Sequence, residues 1–163
     1  MTILIKNKDT LKFNYFSFKC SIGAKGKSKN KQEGDKKTPI GTFSLGNVYY
    51  RKDRKSKPQT KLNCIPIRKN MGWCNDIENK NYNKLIKIKK TVRHEKMFRK
   101  DYKYDLVIVI NYNSKKIFRG RGSAIFIHLT KNYKPTAGCI ALKEKDFLIL
   151  LKLIKRDTKI KII

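Results

Sequence analysis

The chain reads as a mostly β domain with one or two helices. Three observations predict this: its 20 Ile, 8 Phe and 8 Tyr are spread in short apolar runs; Pro, Gly and Asn punctuate those runs; and a well-marked helical segment appears in only one place, near the C-terminus. With 163 residues and 39% apolar content, the length predicts a single domain over 1–163 with enough chain to bury a core.

In chain order, Thr2 to Asn7 and Leu11 to Ile22 predict a β-hairpin turned at Lys8-Asp9. Within the second strand Leu11, Phe13 and Tyr15 alternate with polar residues, after which Phe16, Phe18 and Cys20 take the opposite parity. Such a phase change predicts a bulge or a strand passing from one sheet to another. Gly23 to Lys37 is lysine-rich and aperiodic, hence a loop, and Thr38-Pro39-Ile40-Gly41 leads from it into a strand through Tyr49. A charged loop, Arg51 to Gln59, precedes a short strand from Thr60 to Ile67. Asn70 to Lys84 reads as irregular. Tyr104 to Ile110 contains the continuous run Leu106-Val107-Ile108-Val109-Ile110, the pattern of a strand covered on both faces. Lys116 to Gly120 predicts a short strand, and Ala124 to Leu129 a second buried one carrying His128. Lys143 to Lys155 predicts a helix, with Glu144 and Asp146 in its first turn and Lys152 and Lys155 in its last, the signs its dipole favours. Thr158 to Ile162 closes as a strand.

Charge narrows the function classes less than it first suggests. Lys and Arg number 41 against 12 Asp and Glu, a formal charge of +29. A polyanionic partner, nucleic acid or an anionic envelope, is one reading, and a solubilising surface another. Lys, Asn and Ile all have A/T-rich codons and make up 66 of the 163 residues, so part of the lysine excess reflects base composition. A nucleic-acid module has only the charge in its favour, because the aromatic and basic signatures of the common RNA- and DNA-binding folds are missing. Thr2-Ile3-Leu4-Ile5 is too short for the apolar stretch of a secretory signal, so the expectation is a cytoplasmic start or a trimmed leader. Cys20, Cys64, Cys74 and Cys139 form no dense disulfide framework and no C-x-x-C, and with only His94 and His128 beside them no metal site and no cofactor is predicted.

Chemistry concentrates late in the chain. His128 ends a predicted buried strand, and eleven residues later Pro135-Thr136-Ala137-Gly138-Cys139 delivers one cysteine on a loop of turn residues. A thiolate is the nucleophilic form of cysteine, and an adjacent imidazole both takes its proton and holds the resulting ion pair, which lowers the thiol pKa. Gly138 permits a tight turn beside the thiol. The peptide N–H groups of Ala137, Gly138 and Cys139 can then point at a carbonyl oxygen under attack as an oxyanion hole.

The run Gly34-Asp35-Lys36-Lys37-Thr38-Pro39-Ile40-Gly41-Thr42-Phe43, joined to His128 and Thr136-Ala137-Gly138-Cys139, resembles the L,D-transpeptidase catalytic domain, the YkuD family. The resemblance covers about Phe16 to Ile154. It implies a twisted β-sandwich whose main helix follows the cysteine. It further implies Cys139 as nucleophile and His128 as its general base, with a backbone carbonyl orienting the imidazole. The substrates it implies are two peptidoglycan stem peptides, donor and acceptor, joined into 3-3 or 1-3 cross-links through a thioester; water as acceptor makes the same site an L,D-carboxypeptidase. One departure stands out: Ala137 and Ala141 occupy places where better-known members carry His and Arg or Asn. The further expectations are substrate contacts from Arg119, Arg121, Ser123, Tyr133, Thr136, His94 and Trp73, a carbapenem-reactive thiol, a monomer, and an envelope or periplasmic site of action with the basic surface held to an anionic wall.

Overall fold

The computed structural model describes residues 1–163. Its strands are β1 (Thr2–Ile5), β2 (Thr10–Phe13), β3 (Phe16–Ser21), β4 (Lys27–Ser28), β5 (Thr38–Pro39), β6 (Gly41–Tyr50), β7 (Cys64–Pro66), β8 (Met71–Cys74), β9 (Leu85–Lys87), β10 (His94–Lys96), β11 (Leu106–Ile110), β12 (Phe126–Leu129), β13 (Ile140–Leu142) and β14 (Lys159–Ile162), with one helix, α1 (Glu144–Leu153). The mostly β class with a late helix is as expected.

Two layers of strands form a twisted sandwich, and two strands belong to both. The first half of β6 pairs with β14, while its second half pairs with β11. β3 pairs with β2 and then, through Cys20 and Ser21, with β13. The parity change at Phe16 therefore has two parts. The residues from Leu11 to Ile22 are two antiparallel strands, not one, with the reversal at Asn14-Tyr15 and Asn14 in the left-handed region at φ 51°. The second of them is the strand that passes between sheets.

Three expectations fail elsewhere. Asn70 to Lys84 is not wholly irregular, because β8 lies between β9 and β10 in a small antiparallel sheet. Lys116 to Gly120 forms turns instead of a strand; Asn113 Nδ2 donates to the carbonyls of Phe118 and Gly122 and ties that segment into a loop. The predicted strand at 60–67 shortens to β7, beside the second half of β6.

Alternation across β11 divides the interior in two. Leu106, Ile108 and Ile110 enter a cluster of 25 buried residues, which α1 closes with Phe147, Leu150 and Leu151. Val107 and Val109 face the other way, into a cluster of ten that includes Trp73, Tyr104, Phe126 and Cys139. Strand β12 divides likewise, Ile127 and Leu129 entering the first cluster and Phe126 the second.

The loop between β3 and β6 is anchored by Thr38, which is fully buried. Its Oγ1 accepts the Gly23 N–H at 2.9 Å and donates to the Gly138 carbonyl at 2.9 Å, joining segments 100 residues apart. Thr38→Val keeps the shape and strands both partners. We expect a loss of about 2 kcal/mol, read as a melting temperature lower by roughly 4 to 8 °C; an unchanged melting temperature would show that this contact does not hold the loop.

Candidate active site

Strands β12 and β13 run parallel, with Ile127 beside Ile140, His128 beside Ala141 and Leu129 beside Leu142. One step back along this register, Phe126 lies beside Cys139. Since side chains alternate, Phe126, His128, Cys139 and Ala141 share one face while their neighbours enter the large core. The register thus gives the two predicted reactive groups one side of the sheet, and both line a cleft of about 540 Å³.

The turn into Cys139 requires Gly138. Its φ is +141°, and a Cβ there would sit 2.8 Å from the Lys37 carbonyl oxygen. Thr136 fixes the same turn from below: Oγ1 accepts the Gly138 N–H at 3.1 Å and donates to the Cys139 carbonyl. The predicted three-donor oxyanion hole is accordingly reduced. Gly138 N–H is committed to Thr136, whereas the N–H groups of Ala137 and Cys139 donate to no acceptor in the chain.

Cys139 is buried, with 8% of the residue exposed. Sγ accepts the Phe126 N–H at 3.4 Å and donates to the Ala124 carbonyl at 3.2 Å, so no hydrogen bond joins it to the imidazole in this resting arrangement. His128 is 7% exposed, and its Nδ1 lies 2.9 Å from the Leu129 carbonyl oxygen. An acceptor at that distance assigns the proton to Nδ1 and leaves the Nε2 lone pair free, the tautomer a general base needs.

Electrostatics disfavour the expected ion pair in this resting arrangement. Burial pushes the Cys139 thiol up to about 12, and the negative charge of Glu95 adds to the shift. Burial likewise lowers His128 to about 4, against the opposing effect of its bond to the Leu129 carbonyl. Both shifts favour the uncharged forms at neutral pH. The reason is desolvation, which penalises the charged form of each.

Several further polar groups converge on the cleft, and of these only Glu95, beside His94, was a candidate from sequence. Lys31 and Glu33 come from the lysine-rich loop before β5, and Tyr104 from the residues just before β11. Glu33 accepts from the Ser123 hydroxyl at 2.7 Å and from the Tyr82 hydroxyl. Glu95 accepts from the Tyr104 hydroxyl, and burial raises its pKa. Tyr104 also stacks at a tilt on His128, with ring centres 5.5 Å apart. The one usable sequence signal was proximity, because Glu33 directly precedes the Gly34-Asp35 motif and Glu95 directly follows His94.

Of the predicted substrate contacts, Ser123 and Thr136 line the cleft, and both side chains are already engaged as described. The other five lie outside it. Arg119 is exposed and donates to the Glu78 carbonyl at 3.3 Å, and Arg121 is exposed beyond the cleft's edge. His94 lies over Gly72, with Nδ1 2.7 Å from the Val92 carbonyl oxygen. Tyr133 sits between the ammonium groups of Lys19 and Lys143. Trp73 fills core, edge-on to Phe126 and Tyr49, and its indole N–H donates to Asn83 Oδ1 at 2.9 Å. No group of three or more His, Cys, Asp or Glu side chains is arranged to hold a metal.

No curated protein matches the chain in sequence. Among solved structures it is similar to the helical cell shape determining protein Pgp2 from Campylobacter jejuni, at 16% identity over 99% of this chain and 46% of that one, with a TM-score of 0.50. It is equally similar to Bd1075 from Bdellovibrio bacteriovorus, at 16% identity over 99% of this chain and 47% of that one, with a TM-score of 0.50. The chain spans about half the length of these structures, and at this identity the likeness carries the fold alone. The family model described as the L,D-transpeptidase catalytic domain, YkuD, matches residues 1–162. The chain therefore belongs to the YkuD family of L,D-transpeptidase catalytic domains.

Proposed function

We propose that this chain is one catalytic domain, monomeric, which acts in the cell envelope as a cysteine acyltransferase on peptidoglycan stem peptides. The observation that carries the reading is that the Cys139 thiol, the His128 imidazole and the free N–H groups of Ala137 and Cys139 all belong to one cleft. The solved relative Pgp2 is described as determining helical cell shape, which agrees with a wall substrate.

The chemistry follows from a neutral pair. A stem-peptide carbonyl enters beside Cys139, and the thiol leaves the Ala124 carbonyl for the imidazole. Nε2 of His128 takes the thiol proton as the Sγ–C bond forms, so charge appears only as the transition state is reached. The carbonyl π pair moves onto oxygen, where the Ala137 and Cys139 N–H groups receive it. The C–N bond then breaks, His128 returns the proton to the departing amine, and a thioester remains on Cys139. An acceptor amine gives up its proton to His128, attacks the thioester and forms the cross-link, regenerating the thiol. Water in place of the amine gives hydrolysis, and product masses separate the two.

Purified chain incubated with tetrapeptide muropeptides is expected to give cross-linked dimers; shortened monomers without dimers would assign hydrolysis to the same cysteine. Cys139→Ala abolishes either product, and His128→Gln lowers the rate by roughly 100-fold or more. Full activity in Cys139→Ala would overturn the mechanism.

The neutral resting pair gives a separate pH signature. With the thiol near 12 and the imidazole near 4, the thiolate fraction rises with every step toward high pH across the neutral range. Iodoacetamide labelling of Cys139 should therefore accelerate about tenfold per pH unit from 7 to 9. A rate constant over that range would instead indicate a preformed thiolate–imidazolium pair.

A further inference from the structure

Lys31 is the one lysine drawn into the interior of a chain whose other lysines face outward or lie half-buried: it is 4% exposed and lines the cleft. Its stem lies across Gly122, where a Cβ would come within 2.9 Å of Cε and 3.1 Å of Cγ. Its ammonium approaches the turn that carries Cys139, since a Cβ on Gly138 would stand 3.6 Å from Nζ. Two glycines thus clear the path and the end point of one lysine side chain. Nζ donates to Asp35 Oδ1 at 2.6 Å and, at 3.3 Å, to the Gln32 carbonyl, which leaves one of its three donors without a partner in the chain.

Asp35 neutralises this ammonium only in part. Its two oxygens also accept the backbone N–H groups of Lys37 at 2.9 Å and Gln32 at 2.8 Å, so its charge is shared with the loop. The other charged groups around the cleft are the carboxylates of Glu33 and Glu95 and the cations of Arg99, Lys103 and Lys134. Ala137 and Ala141 bring no polar side chain to the thiol's face. A negative charge developing on Sγ or on a bound carbonyl oxygen therefore meets Glu95, which opposes it, and Lys31, which attracts it.

We propose that the Lys31 ammonium is the fixed positive charge of this site, stabilising the Cys139 thiolate and the oxyanion formed when Sγ attacks a carbonyl. The inference rests on reading Cys139 as the nucleophile. Lys31 keeps its proton throughout: the thiol proton goes to His128 Nε2 and the carbonyl π pair to oxygen, with the ammonium supplying only its field and its free N–H. This assigns a role to a residue of the loop before β5, far in sequence from the cysteine turn.

The test reads the thiol directly, without a stem peptide. Iodoacetamide labelling of Cys139 at pH 8, followed by peptide mass mapping, is measured for the parent chain, Lys31→Met and Asp35→Asn. Lys31→Met keeps the length and removes the charge, and should slow labelling about tenfold. Asp35→Asn removes the opposing carboxylate and should accelerate it. The opposite signs separate a field effect from loop anchoring, for which both variants would change reactivity in the same direction. Labelling of Lys31→Met within twofold of the parent, or a slowed Asp35→Asn, overturns the proposal; if Lys31→Met does not fold by its melting profile, the direction of Asp35→Asn decides alone. Muropeptide turnover that persists in the parent while Lys31 proves inert refutes this inference and leaves the proposed reaction standing, and the reverse result does the opposite.

Discussion

The parallel register between β12 and β13 is the constraint on which the rest of this molecule depends. A shift by one residue would turn Cys139 into the large core and remove it from the face of His128, because side chains alternate along both strands. The register is held from outside the pair. Gly138 can occupy its turn only without a side chain, Thr136 closes that turn from its own hydroxyl, and Thr38 reaches across from the loop before β6 to bind the Gly138 carbonyl. On the far side β13 pairs with β3, and β12 pairs with β11. The sandwich is in this sense a frame that sets one cysteine against one histidine.

That frame determines the chemistry by burying what it positions. Had the two groups met at an exposed edge, a thiolate–imidazolium pair would be stable. Here desolvation keeps both neutral, and Glu95 adds a negative charge that opposes ionisation. In the proposed reaction charge must then be created during attack, which shifts the burden onto groups already aligned before it begins. The Ala137 and Cys139 N–H groups and the Lys31 ammonium fit that description, each held by local backbone geometry or by a clamp of glycines and Asp35. The buried lysine also revises the meaning of the +29 charge. Most of the excess coats the surface, while one member of the lysine-rich loop is turned inward.

What could be read from sequence follows the distinction between local and long-range information. The run Leu106 to Ile110 announced a strand covered on both faces, and α1 carried its end charges openly; both depend on neighbours in sequence. His128 and Cys139 were legible as a pair from their chemistry and from the motif around Thr38. Their shared face was not, since the parity of a strand across an eleven-residue loop is undetermined until the register is known. The short strands β8 to β10 have too few residues for any period to show, and Gly72 interrupts the one that holds Trp73. Lys31 has no local mark to separate it from Lys25, Lys27 or Lys29. Only the space left by Gly122 and Gly138, both distant in the chain, distinguishes it. The placement of Arg119 and Arg121 was hidden for the same reason: they precede β12 in sequence, but the turn at Gly120 and Gly122 leaves them facing solvent.

The central claim, that Cys139 carries the acyl group of a peptidoglycan stem, is tested most directly by intact-protein mass spectrometry of chain quenched in acid during turnover of a defined tetrapeptide muropeptide. The account predicts a mass increase equal to the acyl fragment, mapping to the peptide that contains Cys139 and removed by hydroxylamine. Product accumulating with the acyl group on another residue, or with no adduct and undiminished in a chain lacking the Cys139 thiol, would contradict it.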